Sequence, residues 1–213
     1  MKYLKMLGLA AISAAALTAL FGAGSASATT LTGTGCTGTP SNHCAVGTTI
    51  TSQAEGMTIL HPPFGEIKCE ESTVSGKTTT TGGETETVKG NIESLTFTKC
   101  NATVTPITNG GTYGTLEIHT EKEAANNNGT LTSSGSEVTV EYFGTHCIFK
   151  TGGTTPTDIG VVTGAATTKT EHATFDISAT IPRTGGRSGA FCGSTAQWTG
   201  SYTVTSPKNL NVH

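Results

Sequence analysis

Six cysteines constrain this chain more than any other feature, because all of them follow an N-terminal export signal. They are Cys36, Cys44, Cys69, Cys100, Cys147 and Cys192. An even set of cysteines in an exported chain predicts disulfide bonds. Cys36 and Cys44 flank a turn-rich segment that can close as a small loop. Cys69 and Cys100 each end an alternating apolar segment, which leaves Cys147 and Cys192 for each other. This pairing is a prediction from proximity, since six cysteines permit many connectivities.

The first 28 residues have the three parts of a secretory signal peptide. Lys2 and Lys5 supply the positive charge, Met6 to Phe21 form an apolar run, and Ala26-Ser27-Ala28 is a small-x-small cleavage site before Thr29. The alternative is a transmembrane anchor. The apolar run is shorter than the roughly 20 residues that span a bilayer, which favours cleavage. We therefore expect a secreted, extracellular protein with no membrane span after signal cleavage.

The composition predicts a thin hydrophobic core. Hydrophobic residues make up 34% of the chain, charged residues 13%, and about a fifth of all residues are threonine. Without Lys2 and Lys5 the chain has 10 basic and 15 acidic residues, so its net charge is −5. This acidic balance excludes a strongly basic nucleic-acid binder. Three disulfides would add on the order of 6–12 kcal/mol and offset the small amount of apolar burial.

The apolar residues after the signal alternate with polar ones, as they do in half-buried strands. Clear examples are Phe175 to Ile181, Val138 to Tyr142, Leu116 with Ile118, and Met57 with Ile59. Glycine-rich turn signals separate these segments. The pattern predicts an all-β fold of about 10–12 strands, which we interpret as a disulfide-stapled antiparallel β-sandwich of the jelly-roll or Ig-like type.

The predicted organisation is a signal peptide (1–28), an N-terminal arm (29–47) tied down by its own cysteine pair, and a single β-sandwich domain (48–213). Residues 121–127 are the best non-strand candidate. The low-complexity segment 75–86 is expected to be an exposed hairpin or mobile loop. A bulge near Gly144 would reconcile the apolar faces on either side of it.

No catalytic motif stands out. Ser188, in Gly-Arg-Ser-Gly-Ala, lacks the final glycine of a nucleophile elbow and is interpreted as a turn residue. A glycosidase needs two carboxylates across a cleft. Glu117 and Glu141 each fall on the polar face of an alternating strand, which indicates a solvated sheet surface instead. The full set of candidate carboxylates is Glu66, Glu70, Glu71, Glu84, Glu86, Glu117, Glu121, Glu123 and Glu141.

No metal or cofactor site is predicted either. His43-Cys44 and His146-Cys147 each place imidazole beside thiol, yet neighbouring strand residues point to opposite faces and no Cys-x-x-Cys pair occurs. Calcium at Asp158 or the glutamate-rich segment remains open. Trp198 is interpreted as a core residue near Cys192, with ligand binding as the alternative. The other histidines are scattered: His61, His119, His172 and His213.

Several segments together resemble a known group of proteins. They are Gly47-Thr48-Thr49-Ile50, Phe64 to Cys69, Ile92 to Cys100, and the closing run Cys192 to Pro207. With the alanine-rich signal and the early cysteine pair, this layout resembles a group of secreted Thr/Gly-rich proteins of soil actinobacteria. The resemblance implies a secreted, all-β, disulfide-containing protein and transfers no functional residue.

These observations favour a secreted binding or surface and structural module over an enzyme. The partner is expected to be a cell-envelope component or an extracellular ligand rather than a nucleic acid. The alternative is a secreted hydrolase with a non-standard carboxylate or serine site.

Overall fold

The computed structural model describes residues 29–39, 42–83, 86–120, 127–168, 170–186 and 191–213. These parts of the chain contain fifteen strands and one short helix, α1 (Ala165–Thr168). The strands are β1 (Thr29–Thr34), β2 (Thr49–Ala54), β3 (Thr58–His61), β4 (Ile67–Thr78), β5 (Gly82–Gly83), β6 (Val88–Cys100), β7 (Thr103–Ile107), β8 (Thr115–Thr120), β9 (Asn128–Ser134), β10 (Glu137–Tyr142), β11 (Thr145–Lys150), β12 (Thr157–Thr163), β13 (Thr174–Gly186), β14 (Thr195–Ser206) and β15 (Lys208–Val212).

Most of the strands form one antiparallel sheet that closes on itself, which we call the ring. Hydrogen bonding passes in order through β4, β6, β8, β9, β12, β13 and β14. The ring closes because β14 pairs with both β2 and β3, and both of these short strands pair with β4. The all-β, antiparallel prediction is confirmed, whereas a jelly-roll or Ig-like sandwich is not.

Two bulges bring extra side chains into the ring. In β12 the register shifts between Asp158 and Gly160, so both Ile159 and Val162 are buried although they are three residues apart. In β6 the register against β4 shifts at Ser75 and Gly76, and Ile92 and Leu95 are buried with the same spacing. A bulge bends its strand and increases the local twist, which helps a sheet to curve.

A second, smaller layer continues from one end of β13. Residues 174–182 of β13 pair with β14, whereas residues 183–186 pair with β11, which pairs in turn with β10 and β10 with β7. We call β7, β10 and β11 the attached sheet. Its buried side chains belong to the same hydrophobic core as those of the ring, and they include Val140 and Phe149.

The segment 29–47, predicted as an N-terminal arm, contains a strand. β1 pairs with β15 near the end of the chain and with β5. Leu31 of β1 is buried in the core together with Leu210 and Val212 of β15. Strand pairing and apolar burial therefore hold this segment in place in addition to its disulfide.

Three disulfides are present, and their pairing is the predicted one: Cys36–Cys44, Cys69–Cys100 and Cys147–Cys192. Cys69 and Cys100 lie directly opposite each other on β4 and β6, so this bond joins two neighbouring strands. Cys147 and Cys192 are fully buried. They join β11 of the attached sheet to the segment that leads into β14, so this bond links the two layers.

Several details differ from the prediction. The described residues hold fifteen strands rather than 10–12, partly because β2 and β3 share one position and β5 is very short. No bulge occurs near Gly144: Tyr142 pairs with Thr145, so the chain reverses there and the apolar faces change at a turn. The described part of the segment 75–86 contains β5 and the end of β4, which pairs with the start of β6, so the hairpin alternative of that prediction holds. The predicted signal peptide, residues 40–41, residues 121–126, Glu84 and Ser188 lie outside the described residues.

Candidate ligand-binding cavity

An apolar cavity of about 80 Å³ lies inside the ring, on the side where the attached sheet packs. Each strand of the ring contributes at least one side chain to its wall, and the attached sheet adds Val104, Val138 and Phe149. Because the inward faces of the strands are apolar, closing the sheet gathers them around one space. The wall therefore offers a small molecule a surface that is almost entirely hydrocarbon.

Aromatic side chains surround one part of this cavity. The ring of Trp198 lies edge-on to Phe97 and to Tyr202, with centroids 6.4 Å apart in both pairs. Trp198 and Phe97 are only half-buried, whereas Tyr202 is buried. The wall of the cavity therefore comes close to solvent at Trp198 and Phe97. Trp198 was predicted as a core residue with binding as the alternative, and it packs against the core while lining the cavity.

A glycine leaves space between the two large rings of β14. Gly200 stands between Trp198 and Tyr202 on the same face of the strand. A Cβ atom at Gly200 would come within 2.9 Å of the Thr58 methyl carbon and 3.4 Å of the Tyr202 ring. The side chain of Thr58 thus packs where any other residue at position 200 would place its own, and the glycine allows Thr58 to sit among apolar neighbours.

Thr58 is a buried polar residue in the cavity wall. It is only 3% exposed, and its hydroxyl oxygen has no hydrogen-bond partner in the described part of the chain. Other hydroxyls of the wall are paired. Ser133 Oγ lies 2.9 Å from Ser136 Oγ and 3.1 Å from Thr151 Oγ1, which also accepts a hydrogen bond from the Ser136 amide. Thr58 therefore stands out among the wall hydroxyls.

A second cavity of about 60 Å³ adjoins the first. The two share wall residues from both sides of the ring: Ser52, Val74, Ile92, Leu116, Leu131 and Phe175. Lys77 and Lys89 border the second cavity, and their ammonium groups form ion pairs with Glu93 at 3.1 Å and Glu117 at 2.9 Å. The wall of the first cavity contains no charged side chain among the described residues.

The structure does not bring the candidate carboxylates together in the cavity. Glu66 contacts His61 at 3.0 Å and Lys68 at 2.5 Å on the surface. A hydrogen bond from Lys68, together with the charges of Lys68 and His61, lowers the pKa of Glu66 below its usual value. Glu71 pairs with Lys99 and its pKa is likewise lowered. These contacts are solvent-exposed ion pairs. They are not the arrangement of a hydrolase, in which a general acid and a general base face each other across a cleft.

The remaining candidates are also dispersed. Glu117 pairs with Lys89 and lies 3.6 Å from His119, while Glu70, Glu86 and Glu141 are exposed. Asp158 accepts a hydrogen bond from the Gly160 amide in the β12 bulge. His172 contacts the Val204 carbonyl oxygen, and His213 contacts the Thr32 hydroxyl. Within the described ranges, no group of three or more His, Cys, Asp or Glu side chains is arranged to hold a metal ion.

Sequence reasoning missed Thr58. The alternating pattern placed Met57 and Ile59 on the inner face of a strand. In the structure Met57 is 55% exposed, Ile59 is half-buried, and Thr58 is the most buried of the three. A threonine in a strand is normally assigned to the wet face, and the chain offers no local signal against that assignment. Only the partner strands show which face turns inward.

No helix in the described ranges is both long and apolar enough to cross a membrane. The chain matches no protein-family model, no curated protein and no solved structure.

Proposed function

We propose that the protein is a secreted binding protein that holds a small apolar molecule inside the ring. The observation that carries this proposal is the cavity, whose wall is built from the inward faces of all the ring strands. Three disulfides support an oxidising, extracellular location. Apolar burial from water drives binding into such a space, because each methylene transferred contributes about 0.8 kcal/mol.

The only tryptophan of the chain provides the readout for a test. Trp198 lines the cavity, so a bound molecule changes its surroundings and its fluorescence. We expect n-hexane, n-octane and longer alkanes to produce a saturable change in this fluorescence and to raise the melting temperature of the disulfide-bonded protein. Affinity should increase with chain length until the space is filled and then decrease. A series without such an optimum would count against a cavity of defined size.

Two valine-to-phenylalanine variants, one in the cavity wall and one outside it, test whether the cavity is the binding site. Val74→Phe adds volume to a wall residue that the two cavities share, and it should abolish the response to octane. Val161→Phe makes the same change on the outer face of β12, where Val161 is 45% exposed, and should leave the response intact. Equal octane binding by both variants, or no response in the unaltered protein, would refute the proposal. If Val74→Phe does not fold, the alkane series still decides.

A further inference from the structure

The unpaired hydroxyl of Thr58 indicates what kind of molecule the cavity accepts. A buried hydroxyl without a partner is unfavourable, because folding removes its hydrogen bonds to water and supplies none in return. The hydroxyls of Ser133, Ser136 and Thr151, which also belong to the cavity wall, avoid this penalty by bonding to one another. A ligand oxygen placed beside Thr58 Oγ1 would satisfy the group that the protein leaves open.

The absence of charge in the described wall also restricts the chemical group that carries this oxygen. A carboxylate moved into the first cavity would find no cationic side chain among the described residues of its wall. The two lysines that border the second cavity are already paired with glutamates. An ionised group in apolar surroundings without a partner is strongly disfavoured. The oxygen beside Thr58 therefore belongs to a neutral group, either a hydroxyl or a carbonyl.

The volumes of the two cavities limit the size of the ligand. At about 80 and 60 Å³, both cavities are well above the roughly 10–15 Å³ that one water molecule occupies, so each has room for several carbon atoms of a chain. Because the two spaces share wall residues, an unbranched chain that fills the first can extend towards the second.

We propose that the ligand is a neutral amphiphile of medium chain length whose single hydroxyl or carbonyl oxygen hydrogen-bonds to Thr58 Oγ1. This inference rests on the proposed function, since it specifies the ligand of the same cavity. It commits to three features that can be separated by experiment. The ligand has an apolar chain, an uncharged head, and an oxygen beside the side chain of Thr58.

The test compares n-octane, 1-octanol and octanoate at pH 7 on the disulfide-bonded protein, with Trp198 fluorescence as the readout. Thr58→Val keeps the shape of the side chain and removes its hydroxyl. Thr132→Val is the matched control, because Thr132 Oγ1 is also buried without a partner in the described structure but does not line either cavity. We expect Thr58→Val to reduce the affinity for octanol relative to octane by roughly three- to tenfold. Thr132→Val should leave this ratio unchanged.

Octanoate should bind the unaltered protein at least roughly tenfold more weakly than octanol. Octanoate binding as tight as that of octanol would overturn the neutral head. An octanol-to-octane ratio that is the same in Thr58→Val and the unaltered protein would overturn the role of Thr58. In either case saturable octane binding would leave the proposed function standing. Failure of all three compounds to bind would refute the proposed function itself.

Discussion

The phenol oxygen of Tyr202 lies 2.9 Å from the hydroxyl oxygen of Ser72, and both residues are buried. Ser72 belongs to β4 and Tyr202 to β14. Between these two strands lie β2 and β3, which follow one another along the same position of the ring. Tyr202 pairs with Ala54, the last residue of β2. The side-chain hydrogen bond thus connects β4 to β14 at the point where β2 ends and before β3 begins.

This bond should contribute measurably to stability. Ser72→Ala leaves the buried phenol of Tyr202 without its partner, so we expect a loss of about 1–3 kcal/mol in the free energy of unfolding. The double variant Ser72→Ala/Tyr202→Phe removes both polar groups and should lose less than the sum of the two single changes. Urea unfolding of the four proteins measures the difference. Additive losses would show that the two hydroxyls do not interact.

Tyr202 should also resist ionisation in the folded protein. Burial raises the pKa of its phenol well above the usual value near 10, and the Ser72 hydrogen bond offsets this only in part. As pH rises through 10 the unfolded chain releases the Tyr202 proton while the folded chain keeps it, so the stability of the fold decreases. Phenolate absorbance of the folded protein should therefore fall one tyrosine short of that of the unfolded chain.

The control for this titration is Tyr202→Phe. In that variant the folded and unfolded proteins should no longer differ by the phenolate of residue 202, and the loss of stability above pH 10 should become smaller. A shortfall of the same size in Tyr202→Phe would assign the protected phenol to another tyrosine.

The three disulfides should differ in their contribution. Cross-linking stabilises by restricting the unfolded chain, and the effect grows with the length of the closed loop. Cys147–Cys192 spans 45 residues and Cys36–Cys44 spans 8. Replacing both cysteines by alanine should therefore cost about 4 kcal/mol for the first pair and about 2.5 kcal/mol for the second. Denaturant unfolding of the two double variants measures this order.

Cys69–Cys100, which spans 31 residues, provides the internal control and should fall between the other two. All of these cysteines except Cys100 are buried, so loss of packing adds a broadly similar cost to each replacement. A larger loss for Cys36–Cys44 than for Cys147–Cys192 would contradict the loop-length argument and would assign a larger role to the pairing of β1.

Much of the fold follows from patterns that are local in the sequence. Phe175, Ile177, Ala179 and Ile181 alternate with polar residues and are all buried on β13, as their spacing predicts. The closure of the ring is different, because it depends on β14 pairing with β2 and β3, which lie far from β14 along the chain. No periodicity in one strand specifies its neighbours. The bulges at Ile159 and near Ile92 break the alternation where the sheet bends.

The candidate site was less accessible to sequence reasoning than the fold. Trp198 could be singled out because it is the only tryptophan and lies on an alternating strand. Thr58 could not, because it is one of many strand threonines and its inward orientation depends on β4 and β14. The position of Gly200 between Trp198 and Tyr202 can be read from the sequence, but the side chain that packs beside it, Thr58, comes from β3.

A substitution in the turn at the tip of the β10–β11 hairpin should stabilise the protein. Phe143 and Gly144 are its two central residues, with φ angles of 47° and 70°, and the Phe143 side chain is 89% exposed. A left-handed backbone is unfavourable for phenylalanine, whereas asparagine before glycine is preferred in such turns. The ring of Phe143 contacts Tyr142 edge-on at 4.3 Å, but an exposed contact offsets little of the backbone cost.

We expect Phe143→Asn to raise the free energy of unfolding by roughly 0.5–1 kcal/mol. Phe143→Ala removes the ring contact without relieving the backbone, so it should not stabilise the protein, and thermal unfolding of the two variants separates the effects. If both variants are destabilised to the same extent, the aromatic contact rather than the backbone of residue 143 determines the stability of the turn.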